Sequence, residues 1–220
     1  MANTLPFKNQ SNQSYQEHQQ EKYLPEILLI YAQAFSFPQK DFYEEINSGK
    51  LDREFKELWE NANLPQLDSS EPWMERVPPY EEWIRIYNEA FLGAKKPLAP
   101  PIESLYKPWT VDESFQVPFK HQKGYLMGDS AQHILHITKT LGWEIPVEYQ
   151  MMPDHLSILL EILARFLANG WWSEGKQFIQ DHLDWLPDWC KELEELPVET
   201  EVYRKLAQDL EYLLAIIAKH

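Results

Sequence analysis

Five leucines, Leu156, Leu159, Leu160, Leu163 and Leu167, fall at i, i+3, i+4, i+7 and i+11. At 3.6 residues per turn they line one stripe of a helix, whereas the two-residue period of a strand would scatter them over both faces. The spacing predicts an amphipathic helix beginning near Pro153. The same period recurs in Ile27, Leu28, Tyr31 and Phe35, and in Leu206, Leu210, Leu213, Leu214 and Ile217. Shorter helices are predicted at Phe42–Ile46, Asp52–Asn61, Tyr80–Leu92, Ser130–Leu141, Ser173–His182 and Pro187–Glu195, each bounded by Pro, Gly, Asp or Ser. No stretch alternates apolar and polar residues as a half-buried strand does. The reading is all-α, a single domain over residues 21–220 with roughly eight to eleven helices and no internal repeat.

At 220 residues the chain is long enough to bury a substantial core. Its 35 acidic against 20 basic residues give a formal net charge of −15. Nucleic acid or an anionic membrane needs a basic face, so the charge points to a cationic partner or simply to solubility. Cys190 is the one cysteine, which rules out an intramolecular disulfide and a cysteine-rich metal centre. Residues 1–20 are rich in Asn and Gln, carry no apolar run, and read as a polar tail rather than a signal or anchor. The apolar window Leu156–Leu167 is broken by Ser157, Glu161 and Arg165, far from the ~20 residues that span a bilayer. A cytoplasmic location is expected.

Between Gly93 and Gly128 the helical pattern stops. Pro97, Pro100, Pro101, Pro108 and Pro118 deny a long helix its hydrogen bonds. A connection of this length inside a compact domain is usually either functional or disordered, and a binding surface and a structural strap both stay open. Leu105, Tyr106, Trp109, Phe115, Phe119 and Tyr125 indicate that much of it packs onto the helices.

Four local patterns stand out. Gly93 follows Phe91 and Leu92, where a left-handed residue would close a helix. Ala99-Pro100-Pro101-Ile102-Glu103-Ser104-Leu105-Tyr106 forms a double-proline loop. Gly128-Asp129-Ser130 reads as a structural helix start, with Asp129 or Ser130 capping. Pro153-Asp154-His155-Leu156 reads as another, with Asp154 in a first turn where the helix end favours an anion. His133 and His136 share a helix face at i, i+3, but no His-Glu-x-x-His motif or cysteine cluster joins them, so no metal is expected. No glycine-rich phosphate loop and no nucleophile motif is present, and no cofactor is expected. Trp171, Trp172, Trp185 and Trp189 are read as packing residues, the last two one turn apart.

Taken in order, these patterns resemble the TorD/DmsD family of redox-enzyme maturation chaperones, with Ile102 standing where the family often has tryptophan. The resemblance implies a non-catalytic cytoplasmic chaperone for a molybdenum oxidoreductase of the dimethyl sulfoxide reductase type. Such a chaperone binds the apo catalytic subunit, its twin-arginine leader or both, assists molybdopterin insertion and, where such a leader is present, delays export. Molybdopterin-synthesis or export machinery are further expected partners. The resemblance carries a client-binding role onto Asp154 and His155, with Pro153, Leu156, Tyr87, Phe91, Gly93, Pro100, Pro101, Glu103, Ser104 and Tyr106 as further candidates. In that role Asp154 would pair with an arginine and His155 would add a hydrogen bond or a pH response. Two other readings stay open: a factor carrying the molybdopterin cofactor, and an enzyme using Asp154 and His155 as acid and base.

Overall fold

A computed structural model describes residues 22–67, 71–93 and 97–219, so the expected tail at 1–20 lies outside the described residues. Within them the chain forms eleven α-helices and no β-strand. They are α1 (22–35), α2 (Lys40–Asn47), α3 (Lys50–Asn61), α4 (Trp73–Arg76), α5 (Tyr80–Tyr87), α6 (Glu103–Tyr106), α7 (Asp129–Leu141), α8 (Leu156–Ala168), α9 (Trp172–His182), α10 (Leu186–Glu195) and α11 (Glu201–Lys219). The shorter predicted helices appear within one or two residues of their expected ends, while α8 starts at Leu156, three residues after Pro153. The short α4 and α6 were not legible, because a four-residue helix spans barely one turn and shows no period.

α8 is the centre of the core. Leu156, Ser157, Ile158, Leu159, Leu160, Ile162, Leu163, Ala164, Phe166 and Leu167 are all buried, so it is covered on most sides rather than along one stripe. α9 packs directly on it and α11 packs on α9 and α10. Each fully buried leucine contributes about 1.5–3 kcal/mol. α1 and α11 keep their apolar faces inward, with Ile27, Leu28, Tyr31, Phe35, Leu206, Leu210 and Leu213 fully buried. A buried ion pair between Arg76 and Asp209 ties α4 to α11.

α5 runs on into a π-helical turn, Asn88–Leu92, and the chain leaves it through Gly93 in extended conformation (φ −60°, ψ 154°). Gly93 therefore does not close the helix in the left-handed region. Its constraint is space: a Cβ would lie 3.2 Å from the Asn88 carbonyl oxygen. The first part of the central connection then folds down onto the helices, whereas Phe115 and Tyr125, expected to pack there too, are exposed and pack within the loop itself. Ala99 N–H donates to Ala90 O at 2.9 Å, and Trp189 Nε1–H donates to Ala99 O at 2.8 Å. Farther on, Trp109 N–H reaches Gln122 O at 3.0 Å and Thr110 N–H reaches Lys120 O at 2.8 Å, closing a loop around Trp109, Phe115, Phe119 and Tyr125. Trp185 and Trp189 are both buried, as their spacing predicts.

Candidate functional site

The double-proline loop and the Pro153–Leu156 segment, fifty positions apart in sequence, meet at one junction. Leu156 N–H donates to Pro101 O at 2.8 Å, and Glu103 N–H donates to Asp154 O at 3.1 Å. Ile102 and His155 form an isolated antiparallel bridge. Asp154 completes the clasp with its side chain, where Oδ2 accepts the Ser104 N–H at 2.6 Å and the Ser104 hydroxyl. Asp154 is fully buried, and its Oδ1 has no hydrogen-bond partner among the described residues. Burial raises its carboxyl above the usual range, with the two Ser104 bonds pulling the other way.

α8 starts at Leu156, so Asp154 lies before the helix and not in its first turn, as the sequence suggested. His155 is the N-cap. Its Nδ1 accepts the Ser157 N–H at 3.2 Å, which places the ring's proton on Nε2. The ring is 2 % exposed and packs against Tyr149 with centroids 4.9 Å apart. Burial pushes the imidazole down to about 3. Each side chain of the pair is thus committed to structure. Asp154 serves Ser104 and His155 serves Ser157, and this geometry gives no support to an acid/base dyad.

Next to Ser104, the buried Glu103 opens a second network that runs from the core to the surface. Its Oε2 lies 2.8 Å from His182 Nδ1, and its Oε1 lies 2.8 Å from Lys107 Nζ. Lys107 also reaches Asp181 O and Asp184 Oδ1, each at 2.6 Å. His182 Nε2 in turn lies 2.8 Å from His133 Nδ1. With a carboxylate oxygen facing its Nδ1, His182 donates to Glu103 and its Nε2 accepts the His133 Nδ1–H. Burial and the neighbouring His182 push the His133 imidazole down. Although burial opposes it, Glu103 and Asp184 hold the Lys107 ammonium above its ordinary range. This chain joins α6, α7 and α9. His133 stands out in the sequence by its spacing from His136, whereas nothing local marks His182, whose contact with it spans 49 positions.

None of the twelve candidate binding residues is exposed. Pro101, Glu103, Ser104, Pro153, Asp154, His155 and Leu156 lie in or beside the junction. Tyr106 stacks on Trp185 with centroids 5.0 Å apart. Tyr87 and Phe91 enter the aromatic core with Tyr203, and burial raises the Tyr87 hydroxyl. Gly93 and Pro100 are half-buried. At the start of α7, Gly128 is the N-cap and no side chain caps the helix. Asp129 is instead turned to the central loop, where Oδ2 accepts Thr110 Oγ1–H at 2.8 Å and Val111 N–H at 3.0 Å. Glycine is required at 128 because a Cβ would sit 2.5 Å from Trp109 O.

Two clefts reach the surface near these elements. One of about 690 Å³ lies between α3 and α4 over Phe55, Trp59 and Trp73. Its carboxylates are engaged, Asp52 with the Trp73 and Met74 N–H groups and Glu71 with Lys205. The other, of about 560 Å³, lies against the C-terminal half of α7. Among the described residues no helix is long and apolar enough to cross a membrane.

No curated protein matches the chain. The family profile of the nitrate reductase delta subunit matches residues 49–191, well over half of it. The match spans the double-proline loop, the junction and most of α10, and agrees with the resemblance drawn from the motifs. By this match and its all-helical fold, the chain belongs to the nitrate reductase delta subunit family, whose members are chaperones of molybdoenzyme maturation.

Proposed function

We propose that this protein is a non-catalytic cytoplasmic chaperone that binds the apo catalytic subunit of a dimethyl sulfoxide reductase-type molybdoenzyme through its twin-arginine leader. It holds the subunit for molybdopterin insertion and delays export until that is complete. Family membership supports the general role. The observation that carries the finer reading is the convergence of Glu103, Ser104, Asp154 and His155 on one buried clasp in a chain of net charge −15. A twin-arginine leader offers two fixed cations followed by an apolar run, and a receptor for it needs carboxylates beside apolar surface. In this reading the clasp residues position the client surface, since buried side chains that already have partners hold backbone segments in register and do not meet a peptide directly.

Calorimetric titration with synthetic leaders tests the proposal. Micromolar or tighter binding that is lost when both arginines become lysine supports leader recognition. Lack of binding to every leader, with binding to the apo subunit's mature body, replaces it with a chaperone that reads the folded client.

A further inference from the structure

The cleft against α7 is floored by Leu135, Thr138, Trp143 and Ile145. Sharing Thr138, Trp143 and Ile145 with it, a narrower cleft of about 20 Å³ continues to α8 and ends at Glu161 and Arg165. That volume has room for the tip of one polar side chain. The floor is braced, because the Trp143 indole stacks against Trp171 (6.4 Å, 14°), the residue before α9, and Arg165 lies 5.2 Å from its centroid. Next in sequence to the lining residues Pro146 and Gln150, on the segment that forms the lip, Val147 and Met151 are 78 % and 70 % exposed, the two most exposed of the large apolar side chains besides Val111. From this lip, Tyr149 leads inward to the His155 ring.

The charges decide what such a groove accepts. Glu161 is half-buried, and burial raises its carboxyl because Arg165 offsets only part of the desolvation. No cation lies within 4 Å of it among the described residues. Arg165, its i+4 neighbour, is directed at Trp143. Glu144 in the wall and Glu148 on the lip are exposed and unpaired in the same sense, while Lys139 is the other cation of the groove. A partly desolvated carboxylate whose Arg165 neighbour offsets only part of that burial, set at the end of an apolar floor, is stabilised by an incoming cation attached to apolar residues.

The geometry points to the groove between α7 and α8 as the docking site for the client leader, with an arginine at Glu161 and the following apolar residues over Trp143 and Ile145. This inference rests on the proposed leader recognition and assigns it a place that none of the motif residues occupies.

A double-mutant cycle tests it. A synthetic leader with two adjacent arginines, and the same peptide with both changed to glutamine, are titrated into the wild-type protein, Glu161→Gln, Ile145→Ala and an exposed control on α3, Glu57→Gln. Glu161→Gln is isosteric and half-exposed, and Ile145→Ala probes the same groove without touching charge. The expected result is that Glu161→Gln weakens the arginine peptide about five- to tenfold, leaves the glutamine peptide unchanged, and is not matched by the control. Ile145→Ala weakens both peptides. If the wild-type protein binds the arginine peptide and neither groove variant changes its affinity, the groove assignment is overturned while leader recognition stands. If the wild-type protein binds no leader, leader recognition itself fails and the assignment fails with it.

Discussion

His155 makes acid sensitivity of the fold calculable. Its ring is buried, its Nδ1 lone pair is occupied by the Ser157 N–H, and its imidazole is pushed down to about 3. Protonation would put a second N–H against that donor and strand a charge beside Tyr149. In the unfolded chain the same ring titrates near ~6.5. A depressed histidine binds its proton more tightly when unfolded, so the stabilisation is complete above about pH 6.5 and is lost as pH falls toward 3. At pH 5 the unfolded ring gains a factor of roughly 30 from protonation, which is about 2 kcal/mol of stability lost relative to pH 8. Asp154, whose carboxyl is raised, works in the opposite direction, and His133, also depressed, works in the same one. A comparison therefore isolates His155: urea unfolding followed by tryptophan fluorescence at pH 8 and pH 5, for the wild-type protein and His155→Asn. Asparagine can still cap α8 but cannot titrate. The wild-type protein should lose about 2 kcal/mol more than the variant between the two pH values. Equal losses in both would refute the claim that this imidazole is buried and neutral.

Other outcomes follow from the same contacts. Asp154→Ala removes the acceptor for both Ser104 donors and should lower stability by about 2–4 kcal/mol, read as a shift of the urea midpoint at unchanged slope. Glu103→Gln takes the buried anion from the His182–His133 pair and leaves Lys107 with Asp184 as its remaining carboxylate, and should cost about 1–3 kcal/mol, with hydrogen exchange rising first in α6 and at the end of α9. Gly128→Ala drives a Cβ into the Trp109 carbonyl and should cost about 1–3 kcal/mol, lowering Tm by several degrees in a thermal melt. If the acidic surface steers a cationic leader, added salt should slow association more than it speeds dissociation, and a salt-insensitive association rate in stopped-flow would remove electrostatic steering from the account.

The helical class, the long helices and the packing role of Trp185 and Trp189 could be read from the chain alone. They depend on periods that repeat within ten or twenty residues, and the 3.6-residue spacing of leucines from Leu156 onward leaves no alternative geometry. The family resemblance was equally local, carried by short runs in fixed order. What the tertiary structure decided was the use of the polar residues. Asp154 read as a helix-start anion open to a client, yet it lies outside the helix and clasps Ser104, fifty positions away. Asp129 read as a cap, yet it serves the loop at Thr110 and Val111. Gly93 read as a left-handed terminator, yet it is extended and needed for space. His182 carried no signal, yet it links Glu103 to His133. An apolar stripe announces itself because every turn repeats it, whereas a buried carboxylate takes whichever donor the packed chain brings within 3 Å, and that partner is set by the meeting of helices rather than by its neighbours in sequence.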